Sequence, residues 1–267
     1  MSEKTNLPAI SRQVTELVLA GSSEHAEEVF SEAVEQFGDL AVVQVLDTLE
    51  PQVASMHLAA YDGGKLSLAT LLISPGAWAQ SLAFFAATWT DDKIEDEPEF
   101  LAESLFEHIH GVIFASDDEA RRAALIREAL ATDWGTTAFA ALFSTATEDI
   151  IELANEIHAR GSHSVAQTSS DDDLVPLALE VARTDPEGWD RVLFELFPDW
   201  QPGENQMMAN DYGDDEQIDD DHDSYGYEDA PCRTTQELLQ RLRKQVPSKA
   251  RAPRTGGRAS IGEDIFA

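Results

Sequence analysis

The chain has 267 residues, of which 51 are Asp or Glu and 18 are Lys or Arg, so its formal net charge is −33. An apolar fraction of 43% is enough to bury a sizeable core, which excludes a wholly disordered chain. The charge excludes direct binding of a DNA backbone by the body of the protein, because such binding depends on Lys and Arg that neutralise phosphates.

The charge divides the chain into four segments. Residues 1–200 carry a net charge of −27 and are predicted to form an acidic helical body. Residues 201–232 contain 11 acids and no base, with too little aliphatic content to offset the cost of ordering, and are predicted to be a disordered acidic linker. Residues 233–246 are predicted to form a short amphipathic helix, and residues 247–267 a disordered basic tail.

Helix signals dominate the body. Residues Ser23–Phe37 place apolar side chains at three- and four-residue spacing, and Gly38 follows as a stop signal. Residues Asp39–Glu50 indicate a second helix directly after it. We therefore expect a predominantly α fold, with a multi-helix globular body.

The stretch from Ser55 to Ile73 allows two structures. Asp62-Gly63 is a strong hairpin signal, and the residues after it alternate in a way that suits a strand. Two short helices joined by the glycines are equally compatible with the pattern. We keep both, a small β-hairpin near residues 55–73 and a pair of helices.

Residues 66–90 contain no charge, and their length could span a bilayer. Ser74-Pro75-Gly76 interrupts the stretch, and Asp91-Asp92 rather than bases flank it. We therefore expect no membrane span here. A buried hairpin and a core helix carrying Trp78 and Trp89 are predicted instead.

Further helix starts follow along the chain. Pro98 opens a third long helix with apolar residues on one face. Capping boxes are predicted at Ser116–Glu119 and Thr145–Glu148, and Pro186 takes a first helical position. Thr234–Glu237 is a further capping box, which opens the amphipathic helix between the acidic linker and the basic tail.

Few residues suggest a catalytic or metal-binding role. Glu107 and His110 form one Glu-x-x-His pair on a predicted helix, with Glu103 one turn earlier, but di-iron bundles need two such pairs. Asp219, Asp221 and Asp223 begin like a calcium loop, yet Ser224 and Ala230 stand where Gly and Glu are required. We predict no catalytic residue, no metal site and no cofactor.

The remaining polar groups add no site. Ser162, His163 and Ser164 are interpreted as a hydrated linker after a helix that carries His158. The single cysteine, Cys232, permits no disulfide, and its acidic neighbours disfavour the thiolate. Residues 1–13 have no apolar core of a signal peptide, so we expect a cytoplasmic protein.

One string resembles a known family. Residues 40–55, about one-sixteenth of the chain, are similar to a segment of IcmW, the small acidic adaptor of type IVB (Dot/Icm) secretion systems; the matching positions are Gln44, Asp47, Thr48, Pro51, Ala54 and Ser55. The resemblance implies a cytoplasmic α/β adaptor that binds a partner adaptor and secretion substrates. The same string also fits a plain step between two helices, with Pro51 at the first position of the second.

Three functions are compatible with these patterns. The first is a non-enzymatic protein-interaction module, an adaptor or chaperone-like component tied to secretion or conjugation machinery, which binds protein partners of basic character. The second is a DNA mimic that occupies a nucleic-acid-binding protein. The third is an enzyme whose site converges on Glu103, Glu107 and His110 in a deep pocket.

Overall fold

The fold is given by a computed structural model that describes residues 7–60, 67–165, 174–199 and 232–247. These residues form fourteen α-helices and two 3₁₀ turns, and they contain no strand. The α-helices are α1 (Leu7–Leu19), α2 (Ser23–Phe37), α3 (Asp39–Thr48), α4 (Pro51–Ala60), α5 (Leu68–Leu72), α6 (Pro75–Leu82), α7 (Asp91–Asp96), α8 (Pro98–Ile113), α9 (Glu119–Leu130), α10 (Asp133–Phe143), α11 (Thr147–Arg160), α12 (Leu174–Thr184), α13 (Pro186–Leu196) and α14 (Thr235–Gln245). The 3₁₀ turns are Phe85–Thr88 and Ser144–Ala146.

The predominantly α fold is confirmed, and the first predicted helices lie where the apolar spacing puts them. Helix α2 buries Ala26 and Phe30 on one face and ends at Gly38, whose φ of 81° favours glycine. Helix α3 ends at Thr48, two residues earlier than predicted, because Leu49 is extended ahead of the helix that begins at Pro51.

The hairpin alternative for residues 55–73 is wrong, and the two-helix alternative agrees with the described residues. Helix α4 continues to Ala60, and α5 begins at Leu68 after Ser67, whose hydroxyl accepts from the backbone N–H of Thr70. Burial of α5 follows a four-residue step from Ala69 to Ile73, so the alternating pattern in the sequence does not reflect a strand. The turn residues 61–66 lie outside the described residues.

The single core helix predicted to carry Trp78 and Trp89 is wrong, because α6 ends at Leu82 and Trp89 follows the 3₁₀ turn Phe85–Thr88. Ser74 caps α6 by accepting from the N–H of Ala77, and Pro75 holds the first helical position. Trp78 is fully buried and Trp89 is 7% exposed, as expected for core residues. In the part of the chain that the structure describes, no helix is both long and apolar enough to cross a membrane.

Two predicted capping boxes are wrong in detail. Helix α9 is capped by Asp118 rather than Ser116, because the Asp118 carboxylate accepts from two N–H groups of the first turn. Thr145 donates to the Leu142 carbonyl and does not cap α11, which begins at Thr147. The capping box at Thr234 is confirmed.

The buried apolar side chains form one core, and α10 lies at its centre. This helix contacts α8, α9, α13 and α14, and its residues 138–143 are almost completely removed from solvent. Helix α14 therefore packs on the most buried helix of the body. The acidic run up to residue 231 and the tail from residue 248 onward lie outside the described residues.

Candidate functional site

Helix α14 is amphipathic and strongly capped. The Thr234 hydroxyl accepts from the Glu237 N–H, and the Glu237 carboxylate accepts from the Thr234 N–H, which satisfies two backbone donors at the start of the helix. Arg243 and Lys244 lie in the last turn, where cations favour the helix dipole. The sequence therefore specifies this helix locally, before any contact with the body.

The apolar face of α14 fills a surface that we call the α14 groove. The groove is formed by α7, α8, α10 and the 3₁₀ turn Phe85–Thr88, the elements that contact the helix. Leu238, Leu239 and Leu242 are all 0% exposed in it. Complete burial of a leucine side chain contributes about 2 kcal/mol, so these three side chains are the main apolar contribution of α14 to the stability of the fold.

Polar contacts fix the first end of α14. The Ser144 hydroxyl donates to Thr235 Oγ1 at 2.8 Å, which joins the helix to the end of α10. The backbone N–H of Arg233 donates to the Leu196 carbonyl at 2.9 Å, and its guanidinium also contacts Glu195. The start of α14 is thus held between the ends of α10 and α13.

One carboxylate on α13 receives two arginines. Glu195 is only 16% exposed in its side chain, and Arg241 contacts both of its oxygens, at 2.9 Å and 3.2 Å. Arg233 reaches Glu195 Oε2 at 3.2 Å. Paired contacts of this kind fix orientation as well as charge, so Glu195 sets the register of α14 in its groove.

The far end of α14 is held more loosely. Gln245 donates to Thr137 Oγ1 on α10 at 3.0 Å. Arg243 pairs with Asp91 at the start of α7, where the carboxylate is 74% exposed. Because exposed ion pairs contribute little to stability, this pair orients the helix end more than it stabilises it.

The connection to α14 is unusual in its length. Arg233 and Leu196 are hydrogen-bonded to each other, although 36 residues lie between them in the sequence. The whole acidic run is inserted between two chain positions that touch. Helix α14 therefore packs beside the point at which the chain leaves α13.

The Glu-x-x-His candidate on α8 does not form a site. Glu103 and Glu107 are exposed, and His110 lies between the rings of Phe106 and Phe114 with centroid distances of 5.2 Å and 4.6 Å. No group of three or more His, Cys, Asp or Glu side chains within the described ranges is placed to hold a metal ion.

No sequence pattern singled out His108, the residue after Glu107 on α8. Its ring stacks on Phe85 at 4.5 Å, and its Nε2 has no hydrogen-bond partner within the described part of the chain. Burial lowers the pKa of His108 from 6.5 to about 4, so the ring is neutral at pH 7. The sequence signal that could have predicted its burial is its position on the apolar face of α8, in line with Leu101 and Leu105.

A buried polar cluster joins α2, α4 and α5, and no sequence pattern predicted it. Glu27 accepts from Ser67 Oγ at 2.5 Å and from the Leu68 N–H at 2.9 Å, and it lies 2.9 Å from His57 Nε2. Burial alone would raise the pKa of Glu27, but hydrogen bonds from His57, Ser67 and Leu68 outweigh it and lower the pKa.

This cluster does not have the geometry of a nucleophilic triad. Ser67 donates its proton to Glu27, whereas a nucleophilic serine is hydrogen-bonded to the histidine that acts as its base. Ser67, His57 and Glu27 are all buried. The arrangement acts as a joint between helices, because Glu27 satisfies the backbone N–H groups at the start of α5.

The other sequence candidates remain apart. His158 and His163 are exposed, and the Arg183 guanidinium donates to the backbone carbonyl of Ser162. Partial removal from water and the nearby Glu237 raise the pKa of the Cys232 thiol, which disfavours the thiolate. Asp219, Asp221 and Asp223 lie outside the described residues.

Comparison with protein-family models, curated proteins and solved structures finds no match for this chain.

Proposed function

We propose that the protein is a non-enzymatic protein-interaction module, an adaptor or chaperone-like component, whose α14 groove binds an amphipathic helix with basic residues. The observation that carries this proposal is the docking of α14 across a 36-residue insertion. A helix held in this way can be replaced by a similar helix from a partner. Recognition of a helix by an apolar groove is a common mode of protein interaction.

The contacts of α14 define the partner. Three leucines within one and a half turns supply the apolar surface, and arginines at the positions of Arg233 and Arg241 reach Glu195. The leucines determine affinity, because each is completely buried. The arginines determine orientation and suppress acidic competitors, which is the usual contribution of charge at an interface.

The charge of the body supports the same proposal. Residues 1–200 have a net charge of −27, so the long-range field attracts basic segments and repels acidic ones. The similarity of residues 40–55 to IcmW also implies a cytoplasmic adaptor, but the α/β fold that it implies is not found in the described residues, which contain no strand. In this fold the Asp47 carboxylate accepts from Ser74, the residue that caps α6, and the Thr48 hydroxyl donates to the Val45 carbonyl within α3.

An enzyme is the less favoured proposal. An enzyme would require a deep pocket into which Glu103, Glu107 and His110 converge. Glu103 and Glu107 instead lie on the exposed face of α8. We therefore place the function in the groove rather than in a catalytic site.

The test uses the full chain with a protease recognition sequence placed between residues 210 and 220. After cleavage, a labelled peptide of residues 232–247 is expected to displace the cut C-terminal fragment while the body stays helical by circular dichroism. The uncut chain resists displacement, since a tethered helix has a local concentration in the millimolar range.

A matched peptide with Leu239→Asp serves as the control. It is expected to bind roughly 100-fold more weakly, because an aspartate would be buried without a partner. A cut fragment that leaves only when the body unfolds would contradict the proposal, since α14 would then be an ordinary part of the core.

A further inference from the structure

The corner between α7 and α8 carries an open aromatic pocket that α14 does not cover. The pocket has a volume of about 520 Å³ and is lined by Asp96, Glu97, Pro98, Glu99 and Phe100. The Phe100 ring is 56% exposed, which is unusual for a phenylalanine. This volume accommodates more than one side chain.

The ring of Phe100 already contacts a cation. Lys93 Nζ lies 5.6 Å from the ring centroid, within the range of a cation–π contact. Residues 91–100 contain six acids and one lysine, so the surroundings of the ring are strongly negative. A segment that places further Arg or Lys side chains beside Phe100 would match both the ring and the carboxylates.

The chain itself supplies such a segment next to this corner. Arg243 on the last turn of α14 pairs with Asp91, the first residue of α7, and the described chain continues only to Pro247. Residues 248–258 follow with four bases and no acid. Helix α7 has six residues, a length of about 9 Å, whereas eleven extended residues reach roughly 36 Å.

We propose that residues 248–258 bind in this pocket, with Arg or Lys side chains against the Phe100 ring and the carboxylates of Asp96, Glu97 and Glu99. The tail would then lie beside the end of α14, where Arg243 and Gln245 make the looser contacts. This proposal does not depend on a partner in the α14 groove, because it concerns only the chain's own tail.

Tethering favours the tail over other basic occupants. The tail begins beside α7, so its local concentration at the pocket is in the millimolar range, far above that of a second copy in dilute solution. Attraction between exposed charges is screened by salt. The docked tail is therefore expected to be released as the ionic strength rises.

Paramagnetic relaxation in the full chain tests the proposal. Cys232→Ser removes the native thiol, and Ala252→Cys carries a nitroxide label in the tail. The amides of residues 96–100 are expected to broaden strongly at low salt. Asp96→Asn, Glu97→Gln and Glu99→Gln together are expected to lower the docked population about tenfold, since three charge contacts are lost.

A control variant changes the same number of charges elsewhere. Glu28→Gln, Glu32→Gln and Glu35→Gln lie on the exposed face of α2 and are expected to leave the broadening unchanged. Phe100→Ser is expected to reduce the broadening, and Leu40→Ser, at another exposed apolar position, is not.

Three results would overturn the proposal. The first is equal broadening at the acids of α2 and at residues 96–100, and the second is no response to the triple pocket variant. The third is broadening that arises only when labelled chains are mixed with unlabelled ones, which would make the occupant a second copy. Peptide displacement from the α14 groove is measured separately, so failure of either proposal is distinguishable.

Discussion

Two carboxylates organise two different regions of this molecule. Glu27 is 8% exposed and joins α2, α4 and α5 through His57, Ser67 and Leu68, which lie 30 to 41 residues further along the chain. Glu195 is 16% exposed in its side chain and receives arginines from a helix that returns after 36 residues. Glu27 stabilises the body itself, whereas Glu195 holds a helix that packs onto the body.

The two carboxylates differ in which groups would lose their partners if the contacts were broken. Loss of the Glu27 contacts would strand a buried histidine, a buried hydroxyl and backbone donors away from water. Loss of the Glu195 contacts would return Arg241, which is 44% exposed, to solvent at little cost. We therefore expect the Glu27 joint to hold as long as the body is folded, and the α14 contact to open more readily.

The largest expected effect comes from Glu27→Ala. It should lower the free energy of unfolding by about 4 kcal/mol, because several buried donors lose their acceptor together. Urea denaturation followed by circular dichroism measures it. Glu28→Ala, on the exposed face of the same helix, should change stability by less than about 0.5 kcal/mol, and equal effects would refute the role of the joint.

Leu239→Ala should weaken the docking of α14 by about 3 kcal/mol, since it removes most of a completely buried side chain. The loss should concern α14 alone, so limited proteolysis near residues 235–245 should accelerate while the unfolding of α2 and α4 is unaffected. A uniform loss of protection throughout the body would show that α14 is not separable from it.

His108 should make the protein less stable in mild acid. Its folded pKa of about 4 lies below the ordinary 6.5, so the unfolded chain binds more protons between these values and stability falls as the pH drops through this window. The full loss is about 3 kcal/mol. The lowered pKa of Glu27 affects stability only below pH 4.5, so the range from 4.5 to 6.5 reports mainly on His108.

The substitution His108→Leu should remove most of this pH dependence, as measured by thermal unfolding at several pH values. His25→Leu, at an exposed position on α2, serves as the control and should leave the pH profile unchanged. A pH profile unaffected by His108→Leu would contradict the assignment.

The smallest expected effect comes from shortening the connection between Leu196 and Arg233. Replacing residues 200–231 with eight Gly and Ser residues should stabilise the chain by about 1 kcal/mol, because a shorter loop loses less entropy on closure. The contact between Leu196 and Arg233 allows this shortening. Destabilisation in urea denaturation would mean that the acidic run contributes contacts to the folded protein.

The sequence predicted α14 better than it predicted the joint at Glu27. Helix α14 has a local capping box and a regular apolar face, and both signals lie within eleven residues. The Glu27 cluster depends on His57 and Ser67, which are 30 and 40 residues away, and no local pattern pairs such residues. The Glu27 carboxylate also accepts from the backbone at the start of α5. Asp62-Gly63 had favoured a β-hairpin in this region because it is a local signal and does not reflect that long-range contact.

Native-state hydrogen exchange of the intact chain distinguishes a helix α14 that opens by itself from one that is an integral part of the core. The amides of α14 are expected to exchange through a local opening, with a free energy well below that of α2 and α4 and little dependence on urea. Exchange of α14 only through global unfolding, with the same free energy as the helices joined by Glu27, would contradict it.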